Sequence, residues 1–199
     1  MKYNQLCIIP LLASMLLISC KDEVQEKEVE TLETVEKEIV KPATKALTPA
    51  QSDRANSIWS KIAKNEDTKN FSRLLVSAGI WDTLYVTTSD FTIFAPNNES
   101  FSVFLERMNV TNNPDRKEEL VAMLQNSIVS GSMNSAELVQ SIKKNNKVAL
   151  TTLSGEEIMA TMSGDTIVLT NNAGTRAVVI KSDITASNGI IHLVDAVLK

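Results

Sequence analysis

The side chains in this sequence that could do chemistry are two cysteines, a single histidine and scattered carboxylates. Hydrolysis of a glycosidic bond takes two carboxyl groups flanking it, roughly 5–10 Å apart. Glu156 and Glu157 are adjacent, but neighbours on a strand project to opposite faces, so they make a poor acid–base pair. His192 lies in an alternating apolar run, Ile190 to Leu198. With no second His, and no Cys in the folded part, it is expected to be a satisfied, partly buried side chain rather than a base or a metal ligand. Asp195 is expected to accept from nearby backbone or side-chain donors. The sequence contains no G-x-S-x-G, no phosphate-cradling glycine loop and no H-E-x-x-H. No catalytic residue, metal site or cofactor is assigned. With 20 Lys+Arg against 24 Asp+Glu, the net charge of −4 argues against nucleic acid as a partner, because phosphate binding needs a basic surface. Aromatic residues make up 5% of the chain, too few for an extended stacking platform.

The chemistry of Cys20 is different. Lys2 precedes an apolar run from Leu6 to Ile18, interrupted by Pro10 and shorter than the ~20 residues that span a bilayer. A basic start followed by a short apolar segment is a secretory signal. Leu17-Ile18-Ser19-Cys20 then resembles a bacterial lipobox: a small residue admits the peptidase, and the thiol takes the diacylglycerol thioether. Residues 1–19 are therefore expected to be removed and Cys20 lipidated, with the membrane as partner through that anchor. Several acyl chains, at ~0.8 kcal/mol per buried CH₂, hold far more durably than a single myristoyl group. Lys21-Asp22-Glu23 resembles the signal that carries Bacteroidetes-type lipoproteins to the cell surface. The expected location is the outer membrane, facing outward, with the periplasmic face as the alternative.

Residues 20–56 are dense in Lys and Glu, without Gly or aromatic residues. They are expected to form a solvated tether, with Pro42 and Pro49 stopping any helix. As a coil this length spans about 35 Å. Residues 57–199 are expected to form one domain. Ile58, Trp59, Ile62 and Ala63 fall at helical spacing, and a second helix carries Phe71, Leu74, Leu75 and Ala78, stopped by Gly79. Trp81, Leu84 and Tyr85 are expected in the core. Phe91 to Ala95 reads as a buried strand ended by Pro96, after which Asn97 or Asn98 caps a helix. Pro114 suits the start of a helix whose inner face is Leu120, Val121, Leu124 and Ile128. Asn134 to Glu137 reads as another helix start. From Lys147 the period changes to two, with turns at Ser154-Gly155, Ser163-Gly164-Asp165, Asn171 to Gly174 and Asn188-Gly189. Helices first and a strand meander afterwards predict an α+β fold.

Two stretches are more specific. Phe91-Thr92-Ile93-Phe94-Ala95-Pro96-Asn97-Asn98-Glu99-Ser100-Phe101 resembles the first signature box of the fasciclin domain. Asn188-Gly189-Ile190-Ile191-His192-Leu193-Val194-Asp195-Ala196-Val197-Leu198 resembles the second, and Leu150-Thr151-Thr152-Leu153-Ser154-Gly155 a strand and turn between them. The resemblance implies a wedge of two β-sheets with several helices packed on it, in a family used mainly for adhesion and surface interactions. The partner would be a protein or a glycan. Pro96, Asn188, Gly189, His192 and Asp195 are then structural signature residues, with Asn188-Gly189 a turn that supplies positive φ. Some animal members bind integrins through an Asp-Ile pair before the second box. Asp183-Ile184 occupies that place and is the candidate partner contact, otherwise a solvated loop with a core anchor. Asn126 and Ser127 stand where the family often has Tyr-His.

Overall fold

The computed structural model describes residues 47–86, 89–108 and 116–199. The signal segment, Cys20, most of the expected tether and Pro114 lie outside the described residues. The elements run α1 (Pro49–Ala55), α2 (Ile58–Lys64), a 3₁₀ turn (Glu66–Thr68), α3 (Lys69–Ser77), α4 (Trp81–Val86), β1 (Phe91–Pro96), α5 (Asn98–Met108), α6 (Lys117–Asn126), β2 (Ile128–Ser130), α7 (Ser135–Asn145), β3 (Val148–Thr151), β4 (Glu157–Ser163), β5 (Thr166–Asn171), β6 (Arg176–Ala186) and β7 (Gly189–Val194). This is the expected α+β order.

The seven strands follow one another as β2-β1-β7-β6-β5-β4-β3. The long strand β6 joins two sheets. Its Arg176–Val178 end pairs with β5, and the stretch from Val179 to Ala186 pairs with β7 through two register shifts. The wedge of two sheets expected from the resemblance therefore shares β6 as its hinge. All the pairings are antiparallel except β1 with β7, which run parallel from Phe91↔Gly189 to Pro96↔Val194. The two signature motifs thus lie side by side.

Every residue of β1 is buried, as befits a strand flanked on both edges and covered on both faces; it reads as a continuous apolar run for that reason. The alternation of side chains assigns its faces. Phe91, Ile93 and Ala95, with Ile191 and Leu193 of β7, enter a core shared with α2 through α6. Phe94 and Val194 enter a second core with Leu138 and Ile142 of α7 and residues of β3 to β6.

Local sequence explains where the elements begin. Asn134 accepts from the Glu137 amide at 2.9 Å while Glu137 accepts from the Asn134 amide at 3.0 Å, a reciprocal cap that fixes the start of α7. Asn97 accepts from the Ser100 amide at 3.0 Å and starts α5. Elsewhere the structure departs from the sequence expectation. Pro49 begins a helix instead of ending one, capped by Thr48, because a first-turn position needs no amide donor. The Ser187 amide and hydroxyl donate to the carbonyls of Asn56 (2.9 Å) and Asp53 (2.7 Å), so residues expected as tether are fastened to the domain. Ile128 belongs to the short strand β2, since α6 ends at Asn126. Trp81 and Tyr85 are half-buried beside Trp59, with ring centroids 6.0 and 5.9 Å from Trp81. Of the three residues expected in the core there, Leu84 alone is fully buried.

Candidate functional site

The Asn188-Gly189 turn is a junction. Asn188 is buried and its side chain bridges two helices, accepting from the Ile58 amide at 2.8 Å and donating to the Leu84 carbonyl at 2.9 Å. Its own carbonyl accepts from the Phe91 amide at 3.1 Å. Gly189 has φ of +140°, and a Cβ there would lie 1.9 Å from the Phe91 carbonyl oxygen. The turn therefore serves the positive φ expected of it and a close approach of two backbones as well. At the other end of β1, Pro96 is buried and the Asn97 amide donates to the Val194 carbonyl at 3.0 Å.

His192 lies on the opposite face of β7 from Ile191 and is fully buried, stacked on Phe94 with ring centroids 5.5 Å apart. Its Nδ1 accepts from the Asp183 amide at 3.4 Å, and its Nε2 faces the Met133 carbonyl at 3.0 Å. A ring nitrogen that accepts from a backbone N–H carries no proton, so Nε2 is the protonated nitrogen and donates to Met133. Burial lowers the His192 pKa, against the Met133 bond and the nearby Asp183 charge. The ring is neutral and fully occupied.

Asp183 and Ile184 lie within β6 and not in a loop. The strand is longer than the apolar pattern indicates because it is bulged here, with Asp183 at φ +63°. The side chain of Ile184 packs partly buried against the first core. The Asp183 carboxylate accepts from the Ser135 amide at 2.8 Å and, through a short contact, from the Ser135 hydroxyl. It thus caps the first turn of α7 from a strand 48 residues away, placing negative charge at the positive end of the helix dipole. Burial acts to raise its pKa, but the Ser135 hydroxyl and amide and the field of His192 outweigh it, so the carboxyl stays below its ordinary value. Sequence reasoning finds Asp183 but misses its partner, whose only local signal is the helix start at Asn134.

The remaining candidates are also engaged. Asp195 accepts from the Val178 amide at 2.7 Å and its own amide donates to the Val178 carbonyl at 3.1 Å, tying the end of β7 to β6. Glu156 precedes β4 and accepts from the Asn172 side chain at 3.1 Å. Asn126 accepts from the Ser154 hydroxyl in a short contact, and Ser127 is buried, its carbonyl accepting from the Phe94 amide at 2.8 Å. A groove of about 550 Å³ is lined by Glu99, Arg107, Asp195 and Lys199 together with Phe104 and Val103. Its two carboxylates are Glu99 and Asp195, the latter already committed to Val178.

The two motifs pair in parallel, the second carrying the buried histidine and flanked on its other edge by the bulged strand β6, and the family model described as Fasciclin domain matches residues 66–199. The chain belongs to the fasciclin domain family. Among similar proteins, the protein sll1483 of Synechocystis is 28% identical over 177 residues, covering 84% of this chain and 83% of that protein. The transforming growth factor-beta-induced protein ig-h3 of Sus scrofa is 30% identical over 69% of this chain, which spans 19% of that protein. Stabilin-2 of Mus musculus is 28% identical over 71% of this chain, which spans 5% of it. The fold is also that of the FAS1 domain pair from the insect cell adhesion molecule fasciclin I. There the TM-score is 0.58 at 18% identity, covering 72% of this chain and 51% of that one. This chain therefore spans a small part of the length of the two animal proteins, about half of the insect chain and most of the Synechocystis protein.

Proposed function

We propose that this protein is a binding module for adhesion, carried outside the cytoplasm on a lipidated Cys20 and presented at the bacterial surface to a protein or glycan partner. The observation that carries the reading is the fasciclin match over residues 66–199, joined to the lipobox-like Leu17-Ile18-Ser19-Cys20. A relative in fold is named as a cell adhesion molecule. The commitments of the polar residues support a non-enzymatic role. His192 has both nitrogens bonded, and Asp183 and Asp195 both accept from backbone amides. A periplasmic docking protein for a membrane complex is the alternative, favoured by nothing in the domain itself.

Three measurements test the reading. Cys20→Ala is expected to abolish incorporation of labelled palmitate; unchanged labelling refutes the anchor. Protease shaving of intact cells is expected to release the domain, and protection moves it to the periplasmic side. Cells expressing the protein are expected to aggregate, or to adhere to immobilised matrix or glycans, more than cells lacking it.

A further inference from the structure

Three cavities run into one another along one side of the domain. The groove of about 550 Å³ between α5 and the residues after β7 shares Phe104 and Lys199 with a cavity of about 340 Å³ beside α6. That cavity shares Ala122, Asn126 and Ala173 with a third, of about 400 Å³, which reaches the start of β4 and the β5–β6 turn. Buried Phe104, Met123 and Ile158 give this continuous groove apolar lining along its length. Ala122 and Ala173, both exposed, are too small to cover the junction.

The polar side chains of the third cavity are each held by one end and left over at the other. The Ser154 hydroxyl donates to Asn126 Oδ1 in a short contact, and the Thr152 hydroxyl lies 3.5 Å from the same oxygen. The amide nitrogen of Asn126 then has no partner among the described residues. Asn172 donates to one carboxylate oxygen of Glu156 at 3.1 Å, which leaves the other carboxylate oxygen and the Asn172 side-chain carbonyl as acceptors. Asn171 Oδ1 accepts from the Thr175 amide at 2.8 Å and so fixes the turn that carries Asn172. A donor and two acceptors are therefore set in place before a ligand arrives, which cuts the cost of ordering them on binding.

This lining selects a class of ligand. The charged side chains are Glu99, Glu119, Glu156 and Asp195 against Arg107 and Lys199, an acidic excess that opposes phosphate, sulfate or uronate groups. The walls are α5, α6 and the β5–β6 hairpin, and β4 is flanked by β3 and β5, so an extended peptide finds no sheet edge to join. A hydroxyl both donates and accepts, and a sugar ring carries several of them beside apolar C–H faces. We infer that the groove binds a neutral oligosaccharide. One unit places adjacent hydroxyls on Asn126, Glu156 and Asn172, and the next units extend over Phe104 toward Asp195. The inference rests on the reading of the protein as an adhesion module and names the chemistry of its partner.

The test is saturation-transfer NMR on the intact chain, with neutral hexasaccharides of glucose, mannose, galactose or N-acetylglucosamine as probes. At least one is expected to bind, with an affinity that salt leaves unchanged because the ligand is uncharged. Glu156→Gln and Asn172→Ala alter exposed side chains and are each expected to weaken it about ten-fold with the thermal melt unmoved. Ala173→Phe fills the junction of two cavities and is expected to reduce binding of the hexasaccharide to that of a disaccharide. Absence of binding by all four sugars overturns the inference, as does binding that the three variants leave unchanged. So does a preference for oligolysine that collapses with added salt, because the acidic lining then serves a cationic peptide. Adhesion through a protein partner survives each of these outcomes, which separates failure here from failure of the proposed function.

Discussion

Two seams in this molecule bring together strands that are distant in sequence, and they are built in opposite ways. Along β1 and β7 the pairing is continuous from Phe91↔Gly189 to Pro96↔Val194, sealed at one end by Asn188 and at the other by Asn97. Between β2 and β3 there is one bridge, after which the strands part. The residues that resemble family signatures crowd the closed seam, where nearly every polar group has an internal partner. The open seam is lined by small residues, Ser130, Gly131, Ser132, Ala149 and Thr151. The contrast teaches that the most recognisable residues hold the fold together, and that the exposed seam lies where the sequence is least distinctive.

The closed seam should be the easier one to break. Gly189→Ala adds both a left-handed strain and an overlap with the Phe91 carbonyl. It is expected to cost about 3–5 kcal/mol in denaturant unfolding. Asn188→Ala leaves the Ile58 amide and the Leu84 carbonyl buried and unpaired, an expected loss of about 2–4 kcal/mol. A variant at either position that unfolds like the parent would show that the seam is not where stability resides.

His192 and Asp183 link the two seams, because Met133, whose carbonyl His192 holds, lines the cavity between β2 and β3. The His192 pKa in the folded protein lies below the ordinary 6.5, so the unfolded chain takes up a proton first as pH falls. Stability is therefore full above pH 6.5 and declines below it until the folded pKa is reached, with a slope of at most about 1.4 kcal/mol per pH unit. Asp183, also lowered, adds a second decline below its ordinary 3.8. Thermal melts across this range are expected to lose the first decline in His192→Gln; a slope that persists assigns it elsewhere. The smallest effect is expected of Asp183→Ala, which removes an exposed cap from α7 and should cost about 1 kcal/mol. If partner binding falls instead while the melt stays fixed, Asp183 is a contact residue after all.

What could be read from the sequence was whatever has a local cause. The run Phe91 to Ala95, the cap from Asn134 to Glu137, the turn at Asn188-Gly189 and the burial of His192 follow from periodicity, side-chain chemistry or the lack of a companion histidine. What could not be read depends on residues far away. Ile128 follows Leu124 at helical spacing, and a three-residue strand has no period of its own to contradict it. The bulge at Asp183 breaks the alternation that would otherwise have extended β6, and its tie to Ser135 joins positions no pattern connects. Trp81 and Tyr85 share a helical face with Leu84, but Leu84 lies at the core while the two larger rings pack at its margin, Trp81 against Trp59 and Tyr85 against Trp81. The parting of β2 from β3 is invisible for the same reason: it consists of a pairing that stops.

The position of β7 has a consequence for how the chain comes to be folded. Among the described strands it comes last in chain order, yet it sits between β1 and β6, so these two strands are not joined until residues 189–194 have arrived. Topologies dominated by such distant pairings assemble slowly. A sheet whose middle strand arrives after its neighbours keeps β1 and β6 waiting, with their facing edges unpaired, until β7 can be laid between them.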